Sequence, residues 1–403
     1  MDKFSNHVKN ILHGFFLAMG ITIAEPSTIL PLIVNFFGGS SLLVGFFAAL
    51  LRGGAIVVQM FAAFQAQSYP LMLPYLRRVF FARFLAWFFI GVAIIIFGED
   101  FPNIALFSIG LGLFVFSFSA GFGAIYIKDI MAKIFTHKFR GKTMAYRQFF
   151  TAFGGIISGS FAAIILEVYE PPYSFGYLFI ISSFLMGFGY LAFGSVVEPP
   201  KEKVAQREKK FSTFLKNSIV TLKEDKGLRI QIATFLFAYA YLISLPFIIL
   251  DAEEKINLSG TAIGVLITSQ MVGAMLSNFL WGRLTSRGYY RLSTNIALLL
   301  HVSAIVLAFN AYTLYEYMTI FFIIGAATDG NRIASGNLIL IIAPPEKRPM
   351  YVALQMNIIS LGMFFSILGG FILHVSSYEV LYSVTLSVLL LAFFISLRLK
   401  DNI

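Results

Sequence analysis

Cysteine is absent from the 403-residue sequence, and charged residues make up only 12% of it. The absence of cysteine excludes disulfides, thiol chemistry and cysteine-ligated metal sites. An ordinary soluble domain carries about 25% charged residues, whereas this chain is 58% hydrophobic with a mean hydropathy of +0.82. This composition argues against a water-soluble fold, and the sequence predicts a protein that folds in a lipid bilayer.

Other motifs are missing as well. The sequence has no Gly-x-x-x-x-Gly-Lys-Ser/Thr loop and no stretch long enough for an ATP-hydrolysing domain, which argues against a primary pump. The five histidines are scattered, and no nucleophile, base and acid occur in a catalytic pattern. We therefore expect neither an enzyme nor a bound cofactor or metal.

Long apolar stretches recur along the whole chain, and a helix needs about 20 apolar residues to cross a bilayer. The first stretch is too long for a signal-peptide core and has no cleavage site, so it is interpreted as a span. Twelve spans are predicted, at residues 11–36, 42–66, 77–97, 104–128, 144–166, 176–196, 229–250, 261–282, 292–311, 317–342, 351–373 and 379–397. The predicted fold is an all-α membrane protein.

One long polar stretch divides six spans from six. It predicts an N-terminal six-helix bundle at residues 1–197, a cytoplasmic linker at 198–227 and a C-terminal six-helix bundle at 228–403. Within the linker, apolar residues at helical spacing indicate either a surface amphipathic helix or a plain connection; they are Phe211, Phe214, Leu215, Ile219 and Leu222.

The net charge of +10 is unevenly placed. Basic residues gather in both tails and in alternate loops, and acidic residues gather in the opposite loops, with Lys255 as the exception. This asymmetry places both termini in the cytoplasm and identifies the bilayer, not nucleic acid, as the partner of the basic surface. We expect a monomer in the cytoplasmic membrane.

The two halves share faint internal similarity. Residues 41–45 (Ser-Leu-Leu-Val-Gly) open the second span as residues 260–264 (Gly-Thr-Ala-Ile-Gly) open the eighth. Residues 140–145 precede the fifth span as residues 348–353 precede the eleventh. Such repeats at equivalent positions are typical of duplicated transporter cores.

With this organisation the chain resembles the major facilitator superfamily over its whole length. Residues 282–291 look like the family's cytoplasmic signature of glycine, Asp-Arg-x-Gly and a basic residue, except that Ser286 replaces the aspartate. The corresponding N-half loop keeps only Arg77 and Arg78, and the antiport signature in the fifth span lacks its proline. The resemblance implies a solute carrier built from two six-helix bundles.

Charges at membrane depth are costly and mark functional sites or buried pairs. Glu25 and Asp329 are the candidate proton or cation sites, and Arg52 and Arg332 the candidate contacts to an anionic solute. Each pair, Glu25 with Arg52 and Asp329 with Arg332, could instead be a fixed ion pair. His301 could titrate near neutral pH or simply pack.

Polar residues on the same spans complete the predicted site. The candidate solute contacts are Gln59, Gln270, Asn331 and Tyr241, although polar stripes also hold helices together. Three residues near the cytoplasmic ends of spans are candidate gates: Asp129, Arg287 and Arg140.

These features predict a secondary transporter that moves a small anionic organic solute by alternating access, coupled to protons or another cation. Symport is favoured because the antiport signature is incomplete. Two alternatives stay open: an efflux carrier for cationic or lipophilic compounds, and a sensor or assembly factor that does not transport.

Overall fold

A computed structural model describes the chain except for residues 1, 25–26, 67–68, 136, 201–218, 344–347 and 400–403. Only the backbone is described at residues 2–3, 57, 60, 63–64, 137–138, 140–142, 145, 340, 348–350 and 353. The structure is helical, and its helices are α1 (Asp2–Ile23), α2 (Ile29–Phe36), α3 (Ser41–Ala66), α4 (Leu73–Phe97), α5 (Pro102–Ile134), α6 (His137–Val168), α7 (Tyr173–Gly194), α8 (Lys226–Ala238), α9 (Tyr241–Ile256), α10 (Gly260–Ser286), α11 (Tyr290–Phe309), α12 (Leu314–Ile342), α13 (Arg348–Ile359), a 3₁₀ turn (Ser360–Phe364), α14 (Phe365–Val375) and α15 (Tyr378–Ser396).

Each of the twelve predicted spans coincides with one helix or with a run of short helices. Among the described residues, nine helical segments are long and apolar enough to cross a membrane. Helix α12 is long enough, with 29 residues, but its polar residues lower its hydropathy. The prediction of an all-α membrane protein is confirmed.

Three spans are broken. The first divides into α1 and α2, and the eleventh into α13, the 3₁₀ turn and α14. The seventh divides into α8 and α9 at Tyr239 and Ala240, with Pro246 inside α9. Broken helices leave backbone groups available at membrane depth, which is tolerated where the backbone is buried in protein or lines a cavity. Most of the predicted amphipathic linker helix lies outside the described residues.

The chain forms two compact units. The first comprises Met1–Gly39, Leu50–Glu208 and Ser259–Thr268, and the second comprises Ser40–Ala49, Lys209–Leu258 and Ser269–Ile403. Helices α3 and α10 are each divided between the two units.

In the first unit, small residues allow helices to approach closely. A Cβ atom added to Gly91 of α4 would lie 2.7 Å from the Gly176 carbonyl oxygen of α7. Trp87 of α4 is buried beside this crossing, and its Nε1 donates a hydrogen bond of 2.8 Å to Ser182 Oγ.

In the second unit, α10 crosses α12 at two glycines. A Cβ on Gly273 would overlap the Phe322 carbonyl, and a Cβ on Gly325 would overlap the Gln270 carbonyl. Farther along α10, Trp281 also contacts α12, because its Nε1 donates a hydrogen bond of 3.0 Å to the Ala326 carbonyl. The crossing fixes the polar segment of α12 against α10.

The repeated segments at residues 41–45 and 260–264 each contain a glycine at a point where the helix crosses another helix. In the second unit, a Cβ on Gly45 would overlap the Ser366 carbonyl of α14. In the first unit, a Cβ on Gly264 would overlap Ala163 of α6. Both copies of the repeat therefore place a glycine where two helix backbones touch.

Candidate functional site

A cavity of about 360 Å³ lies inside the second unit. Helices α8, α9, α12 and α13 and the 3₁₀ turn enclose it, so two of the three helix breaks border it. It is lined by Phe235, Ala238, Tyr239, Tyr241, Thr328, Asn331, Arg332, Ser335, Gly336, Ile339, Val352, Gln355, Met356, Ile359, Ser360 and Met363. Its volume is in the range of small-molecule sites, which run from about 300 to 1,000 Å³.

The polar wall of the cavity has unused hydrogen-bonding capacity. Asn331 is only 9% exposed, and neither Nδ2 nor Oδ1 has a partner among the described residues. The Thr328 hydroxyl is also buried without a described partner. Gln355 is engaged, because its Nε2 donates to the Ser335 carbonyl at 3.1 Å and to Ser335 Oγ at 2.9 Å. Buried amides normally have partners, so the Asn331 side chain is available to bind a polar group in the cavity.

Aromatic residues also line the cavity. Tyr241 stacks on His301 of α11, with ring centroids 4.3 Å apart and planes 10° apart. His301 is 1% exposed, and neither ring nitrogen has a hydrogen-bond partner among the described side chains and backbone. His301 therefore lies behind Tyr241 and supports its ring.

An ion pair lies at one side of the cavity. Arg332 Nη2 lies 2.9 Å from Asp329 Oδ1, one turn earlier on α12, and the other carboxylate oxygen accepts a 2.9 Å hydrogen bond from Asn278. The Arg332 side chain is 56% exposed, whereas that of Asp329 is 15% exposed. Arg332 lines the cavity, and Nη2 is the guanidinium nitrogen that bonds to Asp329.

The structure thus brings three predicted solute contacts, Tyr241, Asn331 and Arg332, around one cavity. Gln270 is not among the residues that line it; its Oε1 is buried without a described partner beside the Gly325 crossing.

The remaining predicted solute contacts belong to the first unit. Arg52 and Gln59 are half-buried on α3, and Nη1 of Arg52 has no partner among the described atoms. Glu25 lies outside the described residues, so its predicted pairing with Arg52 stays a prediction.

Sequence analysis missed two arginines in the first unit. Arg147 of α6 donates to Asn10 Oδ1 at 3.3 Å and lies 3.1 Å from Nδ1 of the buried His13. Arg83 of α4 lies over the Phe116 ring, 4.1 Å from its centroid. Both fall inside predicted spans, so the criterion that selected Arg52, a charge at membrane depth, would also have found them.

It also missed a buried carboxylate. Asp251 of α9, 1% exposed, accepts hydrogen bonds from the Tyr317 hydroxyl at 2.9 Å and the Tyr382 hydroxyl at 3.0 Å. Lys255 pairs with the same oxygen at 3.0 Å. The sequence placed Asp251 in an acidic loop, whereas α9 continues past it to Ile256 and buries it among α12 and α15.

The candidate gates differ in their surroundings. Asp129 pairs with Lys133 at 3.0 Å, and Lys133 also contacts the buried carboxylate of Glu198. Glu198 accepts hydrogen bonds from the backbone amides of Met72 and Leu73 at the start of α4, the shortest at 2.7 Å. Arg287 is exposed, and the side chain of Arg140 lies outside the described part of the chain.

Comparisons with known proteins agree with this architecture. The family model described as Major Facilitator Superfamily matches residues 230–402. The C-terminal part of the chain therefore resembles the major facilitator superfamily. No curated protein sequence matches it.

Solved structures of transporters share the fold of this chain over nearly its whole length. The nucleoside transporter NupG, as a mutant, has 12% identity and a TM-score of 0.76, with 98% of this chain and 99% of that one covered. A bacterial homologue of the iron transporter ferroportin has 12% identity and a TM-score of 0.71, with 98% of each chain covered. A D-xylose–proton symporter has 13% identity and a TM-score of 0.64, with 99% and 97% covered. These likenesses show that the chain has a fold also found in solved membrane transporters.

Proposed function

We propose that this protein is a transporter of the major facilitator type that carries a small organic solute with an anionic group across the cytoplasmic membrane, and that the cavity in the second unit holds that solute. The observation that carries the proposal is the buried Asn331 amide, which has both hydrogen-bonding atoms unused on a wall beside Arg332. A ligand that offers an acceptor and a donor would satisfy this amide, and water does so less specifically.

The cavity suits a solute with one flat face. Tyr239 and Tyr241 line it, and His301 stacks on Tyr241 without lining the cavity. An aromatic or sugar ring would pack against this wall while its polar edge faces Asn331. The solved structures with the same fold include transporters for a nucleoside and for D-xylose, which both present such rings.

The charge of the solute depends on Arg332 and Asp329. As a pair the two residues carry no net charge, so the pair alone does not select the sign of the solute's charge. An anionic group would bind the free nitrogens of Arg332, which forms forked hydrogen bonds to carboxylate or phosphate. A cationic solute would have to displace Arg332 from Asp329, whose side chain is less exposed. We therefore favour the anion, and the cation is the alternative.

Coupling is assigned to carboxylates at membrane depth. Glu25 and Asp329 would take up a proton or another cation as the solute binds, and one solved structure with this fold is a D-xylose–proton symporter.

Two six-helix bundles, residues 1–197 and 228–403 joined by the linker at 198–227, would alternate access to the site. Asp129, Arg140 and Arg287 are the proposed cytoplasmic gates, and Arg52, Gln59 and Gln270 the further solute contacts.

The solute class can be tested by thermal unfolding of the purified protein with a panel of solutes. We expect carboxylate- or phosphate-bearing ring compounds to raise the Tm of the native chain. Arg332→Gln should abolish this stabilisation, whereas Arg283→Gln, which removes an exposed charge from the end of α10, should not.

If organic cations stabilise the protein, and Asp329→Asn but not Arg332→Gln removes the effect, the efflux alternative replaces the anion proposal. If no compound binds the native chain, and reconstituted protein shows no uptake of the panel, the non-transporting sensor or assembly factor is favoured.

A further inference from the structure

A groove of about 620 Å³ lies on the first unit between α4 and α7, and nothing in the proposed transport site uses it. Its walls are aromatic and aliphatic. Phe81, Phe184 and Leu191 line it and are 62%, 49% and 73% exposed. Such exposure of large apolar side chains on two predicted spans indicates a groove that opens toward hydrocarbon.

Two glycines of α7 form part of the groove surface. Gly187 and Gly194 line it, and a Cβ on Gly187 would lie 3.3 Å from the Phe84 ring. Larger residues there would project side chains into the space between the helices. The groove is therefore a consequence of small residues at these positions and would be filled by a leucine at position 187.

One end of the groove is positively charged. Arg77 lines it and donates from Nε to the Gly194 carbonyl at 2.8 Å, and Lys9 donates to the Ser195 carbonyl at 2.7 Å. The two cations thus bind consecutive carbonyls at the C-terminal end of α7, those of Gly194 and of the capping residue Ser195. The nearby carboxylate of Glu198 is engaged by Lys133 and by the amides that begin α4.

We propose that an anionic phospholipid occupies this groove, with an acyl chain along the aromatic walls and its phosphate at Arg77 and Lys9. The apolar walls fit the chain, and the basic end fits the phosphate. Basic pockets between membrane helices select anionic headgroups in this way. Arg77 keeps two guanidinium nitrogens beyond the one bound to Gly194, and these suit phosphate oxygens.

The test is native mass spectrometry of the purified full chain, delipidated and then mixed with phosphatidylglycerol or with phosphatidylcholine of the same acyl chains. We expect the native chain to retain phosphatidylglycerol with roughly tenfold preference, in line with two basic contacts. Arg77→Gln should lower that preference several-fold. The matched control Lys128→Gln, which removes an exposed charge on α5 outside the groove, should leave it unchanged.

A second variant tests the walls. Gly187→Leu fills the groove without changing charge, and we expect it to reduce tight binding of both lipids. Fluorescence of the buried Trp87 in a Trp281→Phe background reports whether the variants fold, and Lys9→Gln replaces Arg77→Gln if the latter does not fold. Equal retention of the two lipids by the native chain, or an unchanged preference in the folded charge variant, would overturn the proposal.

Discussion

Glu198 joins three elements of the first unit, and its neutralisation to glutamine should destabilise that unit. Its side chain is 1% exposed and accepts from the Met72 and Leu73 amides and from Lys133. Hydrogen bonds to charged groups contribute about 1.5–3 kcal/mol each, and neutral ones about 0.5–1.5. The two amide bonds therefore lose about 2 kcal/mol together.

Lys133 adds to this loss. It is 11% exposed and would lose its buried partner, although Asp129 stays 3.0 Å away. We assign this contact about 1 kcal/mol, below the 3–5 kcal/mol typical of breaking a fully buried pair. Glu198→Gln should therefore lower the free energy of unfolding by about 3 kcal/mol.

The assay is unfolding of the purified protein by SDS titration from mild detergent, followed by fluorescence of Trp87 in a Trp281→Phe background. Glu170→Gln, at an exposed acid in the same unit, is the matched control. Glu198→Gln and Lys133→Met should be less than additive when combined, because they remove one shared contact. A loss equal to that of the control, or strict additivity, would refute the reasoning.

Asp251→Asn should lower the free energy of unfolding by about 2 kcal/mol, because two tyrosine hydroxyls lose a charged acceptor. Glu254→Gln, at an exposed residue of the same helix α9, should lower the free energy of unfolding far less in the same SDS titration. Gly273→Val should reduce the yield of folded protein on size-exclusion chromatography, since even its Cβ overlaps a carbonyl of α12. Burial raises the pKa of the Asp225 carboxyl, but hydrogen bonds from Tyr351 and two backbone amides outweigh it, so the pKa lies below 3.8. The stability that this carboxylate gives to the start of α8 should be present above pH 4 and lost as the pH falls further, and Asp225→Asn should flatten that dependence of the unfolding midpoint.

The helices could be predicted from the sequence because hydropathy acts over about 20 residues at a time. The polar composition of α12 also indicated a functional helix, and Asn331 and Arg332 of this helix line the cavity. Asp329 and Arg332 are spaced i, i+3, which predicted that they could pair on one helix face, and they do. The pairing needs only helix geometry, so it could be foreseen.

Contacts between helices could not be foreseen in the same way. Asp251 looked like a loop residue because α9 was expected to end near it, and only packing shows that Tyr317 and Tyr382 surround it. The stacking of His301 on Tyr241 joins α11 to α9, a relation that no local pattern encodes. Such contacts depend on where each helix ends and on how it is rotated about its axis, and the hydropathy of the sequence determines neither.

The most direct measurement of transport by the cavity in the second unit is uptake of a radiolabelled solute, chosen by the thermal screen, into proteoliposomes. The native chain should accumulate it when an inward proton gradient is imposed and lose accumulation when the gradient is collapsed. Asn331→Leu, which fills the polar wall without altering charge, should abolish uptake while the protein stays folded. Undiminished uptake by this variant would contradict the assignment of the cavity as the solute site.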